Sequence, residues 1–253
     1  AVIHTVASHK TTETDETLQI KLFSDAARTK QVGATASVTV RDTSLFGTAF
    51  DGAQLPIGLG LDVPSAAHAS ITLDTVNKEL DFNATQTTDM WDTRNNAPIA
   101  WVKSPVVPVG GSWAVETHVR LVDSTWGGQV AGIVFYGADG ERPAFTFGID
   151  GWPWWNTGVH LQGMGTNDPD VWADLFPAGA DPVDNVFLRV VVTENGATDR
   201  YDFYYKLNAG DSWTLLKGGF DSAAANGRVG IFYKTDGAKP GAAFNSLNLT
   251  RVS

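Results

Sequence analysis

Short runs rich in Val, Ile, Phe, Tyr and Thr, each closed by a turn signal, recur along almost the entire chain, and this pattern constrains it to an all-β fold. The runs are Leu18–Phe23, Ala36–Val40, Ala69–Asp74, Glu79–Ala84, Trp113–Leu121, Val130–Tyr136 and Phe145–Ile149. Val159–Gly163, Val186–Thr193, Arg200–Lys206, Trp213–Leu216, Val229–Lys234 and Ala243–Val252 complete them. About a dozen strands is the number that two stacked sheets use. The turns Ala138-Asp139-Gly140, Glu194-Asn195-Gly196, Asn226-Gly227 and Asp236-Gly237 supply residues that tolerate positive φ, which favours hairpins. Helix-favouring stretches are confined to Ser24–Val32 and Asp221–Asn226, too short for the crossover of a parallel sheet. The expected architecture is a two-sheet antiparallel β-sandwich of jelly-roll type. It would comprise one domain over residues 18–253, preceded by a polar, aperiodic arm over 1–17.

Alternation along single strands separates a dry face from a wet one. In Trp113–Leu121, Val115, Val119 and Leu121 share one face, while Glu116, His118 and Arg120 share the other. The same rule pairs His160 with Gln162 between Val159 and Leu161.

The net charge of -10 disfavours nucleic acid and anionic membranes as partners and suits a neutral or cationic ligand. No stretch reaches the ~20 apolar residues of a membrane span. The absence of cysteine removes disulfides and thiolate chemistry, leaving packing or an oxygen-bound cation to supply stability. The chain starts at Ala1 rather than Met, as a processed product would, so a secreted or cell-surface protein is expected.

Nine tryptophans are present, and three fall in Asp150-Gly151-Trp152-Pro153-Trp154-Trp155-Asn156. An indole face matches the C–H face of a pyranose, and an exposed ring costs apolar hydration unless a ligand covers it. Trp152, Trp154 and Trp155 are therefore candidate sugar platforms; the competing reading packs them into the core. Trp126, in a Gly-rich connection, is a further candidate, and Arg120, His160 and Gln162 are the polar contacts. The acidic stretch Asn167–Asp174 gathers oxygen donors but lacks EF-hand spacing, and reads as a solvated loop.

An enzyme is the alternative. Glycoside hydrolysis needs two carboxylates, for which Glu116 and Asp150 are the candidate pair with His118 beside them. A lyase would draw on Arg120, His118, His160, Gln162 and Tyr136. The strand motif Glu-x-Asp-x-x-Glu, His-Glu-x-x-His, Gly-x-Ser-x-Gly and the P-loop are all missing. A structural or adhesive domain is the third reading.

From about Leu45 onward, the order of features resembles the concanavalin A-like lectin and glucanase modules attached to bacterial glycoside hydrolases. The landmarks are Phe46–Phe50 with Asp51-Gly52, Thr88-Asp89-Met90-Trp91 with Ala97-Pro98, and Ser112–Val119. Ala131–Tyr136, Val229–Tyr233 and Ala242–Asn245 follow. The resemblance implies sugar binding on the concave sheet or its edge loops; a polysaccharide or oligosaccharide is the expected partner and a monomer the expected state. It requires no cofactor, but implies a structural calcium near the first and last strands. Asp51 is the carried-over ligand, and Asn245 stands where an aspartate is usual.

Overall fold

A computed structural model describes residues 16–40, 43–90, 96–122, 128–136, 143–152, 156–163, 170–175, 184–223 and 227–252. The strands are β1 (Glu16–Ile20), β2 (Ala36–Val40), β3 (Ser44–Thr48), β4 (Gly60–Asp62), β5 (Ala69–Asp74) and β6 (Glu79–Ala84). Next come β7 (Ile99–Lys103), β8 (Ser112–Leu121), β9 (Gln129–Tyr136), β10 (Pro143–Trp152), β11 (Asn156–Gly163) and β12 (Asp170–Asp174). The last are β13 (Asn185–Thr193), β14 (Asp199–Lys206), β15 (Thr214–Ser222), β16 (Arg228–Thr235) and β17 (Lys239–Val252). No helix occurs among the described residues. Ser24–Val32 is instead a set of turns closed by the Phe23–Gln31 bridge, because Asp25 accepts the amides of Thr29 and Lys30 and holds the chain in a bend.

Two antiparallel sheets form the sandwich. One runs β12-β11-β10-β9-β16-β7-β4 and the other β15-β14-β13-β8-β17-β6-β5, with β3 also paired to β17. The last strand thus ties the ends of the fold together: one edge of β17 pairs β8, while the other pairs β6 and then β3. A bulge between Phe244 and Ser246 places Asn245 between these partners. The leading residues contribute β1 and β2, which pair with each other in a separate two-stranded sheet.

The core between the sheets is built from the inward half of each alternating strand. Val115, Val119 and Leu121 of β8 are fully buried, as the alternation requires, and share one cluster with Tyr201 and Phe203 of the same sheet and with Phe145 and Phe147 of the opposite sheet. Aromatic rings meet there edge-on: Phe145 lies 5.0 Å from Tyr201 at 76°, and Phe147 lies 5.4 Å from Phe203 at 71°. This is the favoured geometry for ring quadrupoles.

A second, smaller apolar cluster covers half of the outward face of the seven-stranded sheet. There Ile99, Val130, Val134, Tyr136 and Phe232 are sealed beneath Met90 and Ala97, with Trp101 alongside. The other half of that face, over β10, β11 and β12, carries polar side chains. This division positions the site.

Candidate functional site

On the polar half of the face, β10 contributes Asp150, β11 contributes His160 and Gln162, and β12 contributes Asp170 and Trp172. The register sets His160 opposite Trp172 and Gln162 opposite Asp170. His160 Nδ1 lies 2.9 Å from Asp150 Oδ2, and Nε2 lies 2.6 Å from Asp170 Oδ1. A neutral imidazole carries one N–H and would turn a lone pair toward one of these carboxylates, so the geometry calls for the doubly protonated ring. Burial works against that charge, but the two carboxylates outweigh it and raise the His160 pKa above its usual value. Asp150 is buried and Asp170 exposed, so the imidazolium links the floor of the site to its rim.

Trp172 completes the group. Its ring lies 5.3 Å from His160 at 58° and spreads over Gly158, where a Cβ would sit 2.3 Å from the indole. A glycine there makes room for the ring to lie against the sheet. The residue remains 37% exposed. On the other side of Asp150, Lys234 on β16 occupies the same cross-strand row, both residues being partnered with Val130. Burial lowers the Lys234 pKa to about 8 against the pull of Asp89, Asp150 and Asp236.

The residues expected to act together are divided between opposite faces. Glu116, His118 and Arg120 lie on β8 in the eight-stranded sheet, whereas Asp150, His160 and Gln162 lie on the seven-stranded sheet. Both sets point away from the shared core, so a packed layer about 10 Å thick separates them. The pair Glu116 and Asp150 therefore cannot flank one glycosidic bond at the ~5–9.5 Å that hydrolysis requires. His118 is likewise removed from Asp150, and Arg120 from His160 and Gln162.

On its own face, the Glu116 row is tied into ion pairs. Arg120 Nη2 meets Glu79 Oε2 at 2.8 Å and Arg189 Nε meets Glu116 Oε1 at 3.3 Å. His118 stacks on Phe187 at 4.1 Å and 12°. Burial lowers its pKa, although Asn185, Asn245 and Glu79 act in the other direction. Replacing Arg120 with Met leaves the buried Glu79 carboxylate without its charged donor. Thermal melts should show a loss of about 1.5 kcal/mol, the value of a charged hydrogen bond.

The calcium expected at Asp51 and Asn245 would need a set of oxygen donors gathered around both. Asn245 turns its Nδ2 to Glu79 Oε1 at 3.4 Å and keeps its Oδ1 buried without a hydrogen-bond partner. Among the described residues no three His, Asp or Glu side chains gather as a metal site. Calcium takes six to eight oxygens.

Trp126, Trp154 and Trp155 lie outside the described residues, as does the side chain of Trp152. Trp152 pairs with Asn156 at the end of the β10–β11 ladder, two residues beyond Asp150. Asp170 and Trp172 were the residues sequence reasoning placed in a solvated loop. The structure makes this segment an edge strand, and the signal was present in the alternation Asp170-Val171-Trp172-Ala173-Asp174, which sends Asp, Trp and Asp to one face.

No family model and no curated relative matches the chain. Solved structures do. A bifunctional GH43-CE protein of Bacteroides eggerthii superposes with a TM-score of 0.56 and 16% identity, over 81% of this chain and 27% of that one. The GH43 protein of Bacillus licheniformis gives 0.53 and 15%, over 92% and 46%. The CBM2 module of the evolved Dit of Lactobacillus casei BL23 phage J-1 gives 0.50 and 10%, over 83% and 97%. The chain spans less than half the length of either GH43 structure. At these identities the likeness defines the fold. The chain is an all-β protein with an antiparallel two-sheet sandwich, a fold it shares with the matched parts of the GH43 structures and with the CBM2 module. It matches part of each GH43 chain and nearly all of the CBM2 module.

Proposed function

We propose that this chain is a carbohydrate-binding module of a secreted or cell-surface protein, engaging a neutral or amino-substituted polysaccharide on the outward face of its seven-stranded sheet. The observation that carries this reading is the partly exposed Trp172 lying flat over Gly158 beside the Asp150–His160–Asp170 hydrogen-bonded group. The indole offers an apolar plane for the C–H face of a sugar. The carboxylates and Gln162 offer acceptors and donors to its hydroxyls. Trp152, Trp154 and Trp155 extend this platform in the proposal, because in sequence they lie between Asp150 and Gly158. Trp126 is a further candidate contact. The acidic net charge favours ligands without carboxylate or sulfate.

Titration of intrinsic tryptophan fluorescence against a panel of neutral, acidic and aminated polysaccharides tests the proposal. Trp172→Ala is expected to weaken binding about tenfold, near the upper end of the ~0.5–1.5 kcal/mol assigned to aromatic stacking, while circular dichroism stays unchanged. Trp154→Ala should weaken it as well. Arg120→Met, on the opposite sheet, should leave binding as in the parent. Equal affinity of Trp172→Ala and parent for every glycan would overturn the reading. Release of reducing sugar or unsaturated ends in the same panel would instead make the chain an enzyme, with Asp150 and Asp170 as the carboxylates to replace.

A further inference from the structure

A second pocket, lined by His68, Gln86, Thr87, Asp89, Asn96 and Gly237, encloses about 420 Å³ beyond β16. Among the described residues, the side chains that line it are polar, and they come from four separate segments of chain. These are held together by the Thr88–Thr235 bridge, by Thr85 N donating to His68 O at 2.8 Å, and by Gly237 N donating to Thr87 Oγ1 at 3.0 Å. Asn96 closes the base: its Oδ1 accepts from Asp89 N at 2.6 Å, its backbone N donates to Asp89 O at 2.8 Å, and its Nδ2 lies 3.5 Å from His68 Nδ1. A polar cavity braced in this way is preorganised. Its carboxylate, carboxamides and hydroxyl offer donors and acceptors side by side.

We infer that this pocket is a second carbohydrate subsite that takes a single neutral sugar unit. Vicinal hydroxyls both donate and accept, which matches an amide set beside a carboxylate. The Asp89 charge is faced by Lys234 at 4.0 Å, so the pocket does not present the isolated negative charge that would select a cation. Its volume lies within the ~300–1,000 Å³ range of small-ligand sites. Apolar ligands would have to strip water from these polar groups without replacing its hydrogen bonds.

The subsite deepens the carbohydrate-binding reading but does not depend on the tryptophan platform. Lys234 stands on β16 and Trp172 on β12, four strands apart in one sheet, or roughly 19 Å at the usual strand spacing. A monosaccharide in the pocket therefore leaves Trp172 untouched, whereas a chain of several units reaches both.

Saturation-transfer NMR and calorimetry on the full chain, with D-glucose, D-galactose, D-xylose, L-arabinose and N-acetyl-D-glucosamine as probes, test this directly. At least one probe is expected to bind saturably. Gln86→Ala should weaken it at least fivefold with an unchanged melting temperature, since Gln86 is an exposed side chain of the rim. Asn96→Asp should do the same by turning a donor into an acceptor. Trp172→Ala should leave monosaccharide affinity intact and reduce only polysaccharide binding. The subsite is overturned if no probe binds saturably, or if Gln86→Ala and Asn96→Asp both bind as the parent does. Loss of the polysaccharide result alone overturns the platform and leaves the pocket standing.

Discussion

A single added methyl group at Gly132 is expected to cost about 3 kcal/mol and to lower the melting temperature by roughly 6–12 °C for a chain of this size. Gly132 on β9 faces Gly148 on β10 at the centre of the seven-stranded sheet. A Cβ on Gly132 would lie 2.3 Å from the Phe147 carbonyl oxygen and 2.4 Å from the Gly148 Cα. A Cβ on Gly148 would lie 2.4 Å from the Ala131 carbonyl oxygen. Both collisions are with backbone, so no rotamer relieves them and the two strands must separate. Phe147 and Ile133 form a pair across the same junction and are fully buried, so separation also opens the core. Gly210→Ala is the control, because a Cβ there meets nothing within 4 Å. Denaturation of the two variants should differ sharply; equal stability would show that β9 and β10 have room to part.

His160→Ala is expected to cost about 2 kcal/mol, because it removes a charged donor from two carboxylates, one of them buried. The pH dependence gives the sharper test. The folded-state pKa of His160 is raised above its usual 6.5, so the native state holds the proton more tightly than the unfolded chain. That stabilisation is complete below pH 6.5 and is lost as pH rises through the folded value. His118 has the opposite sign: burial lowers its pKa, so stability falls as pH drops below 6.5. The two slopes meet near neutrality. Lys234, lowered to about 8, acts at more alkaline pH, so pH 6.5 to 7.5 is the window in which His160 is read. His160→Gln should flatten the decline above 6.5, and His118→Gln the decline below it, in denaturation series across pH 5–8. Polysaccharide binding should weaken in step with the first decline, because loss of the imidazolium proton releases one of the carboxylates beside Trp172.

The strands that alternation and turn residues marked most strongly are those the structure forms with little change, notably Ala36–Val40, Ala69–Asp74 and Glu79–Ala84. The strands that escaped sequence reasoning were β3, β4, β7 and β12. β4 has three residues, β7 follows Pro98 and β12 is rich in aspartate, so each draws its identity from a neighbouring strand rather than from its own propensity. Of the candidate site, His160 and Gln162 were legible as polar residues on the wet side of one strand, and Asp150 as the carboxylate that opens the tryptophan run. Asp170, Trp172 and Lys234 were not, because only strand pairing brings them to it.

Sequence by itself determined that the chain is all-β, which side chains of each strand turn inward, and that the chain is acidic and rich in tryptophan. These are local properties, set by a two-residue period and by the chemistry of each turn. Only the tertiary structure decided which sheet each strand joins. Glu116 and Asp150 obey the same alternation, yet β8 pairs with β17 and β13 while β10 pairs with β9 and β11, and the core lies between them. The physical reason is that alternation defines inward and outward only relative to a strand's own sheet. The choice of sheet depends on partners distant in sequence, whose selection rests on the packing of the whole interior.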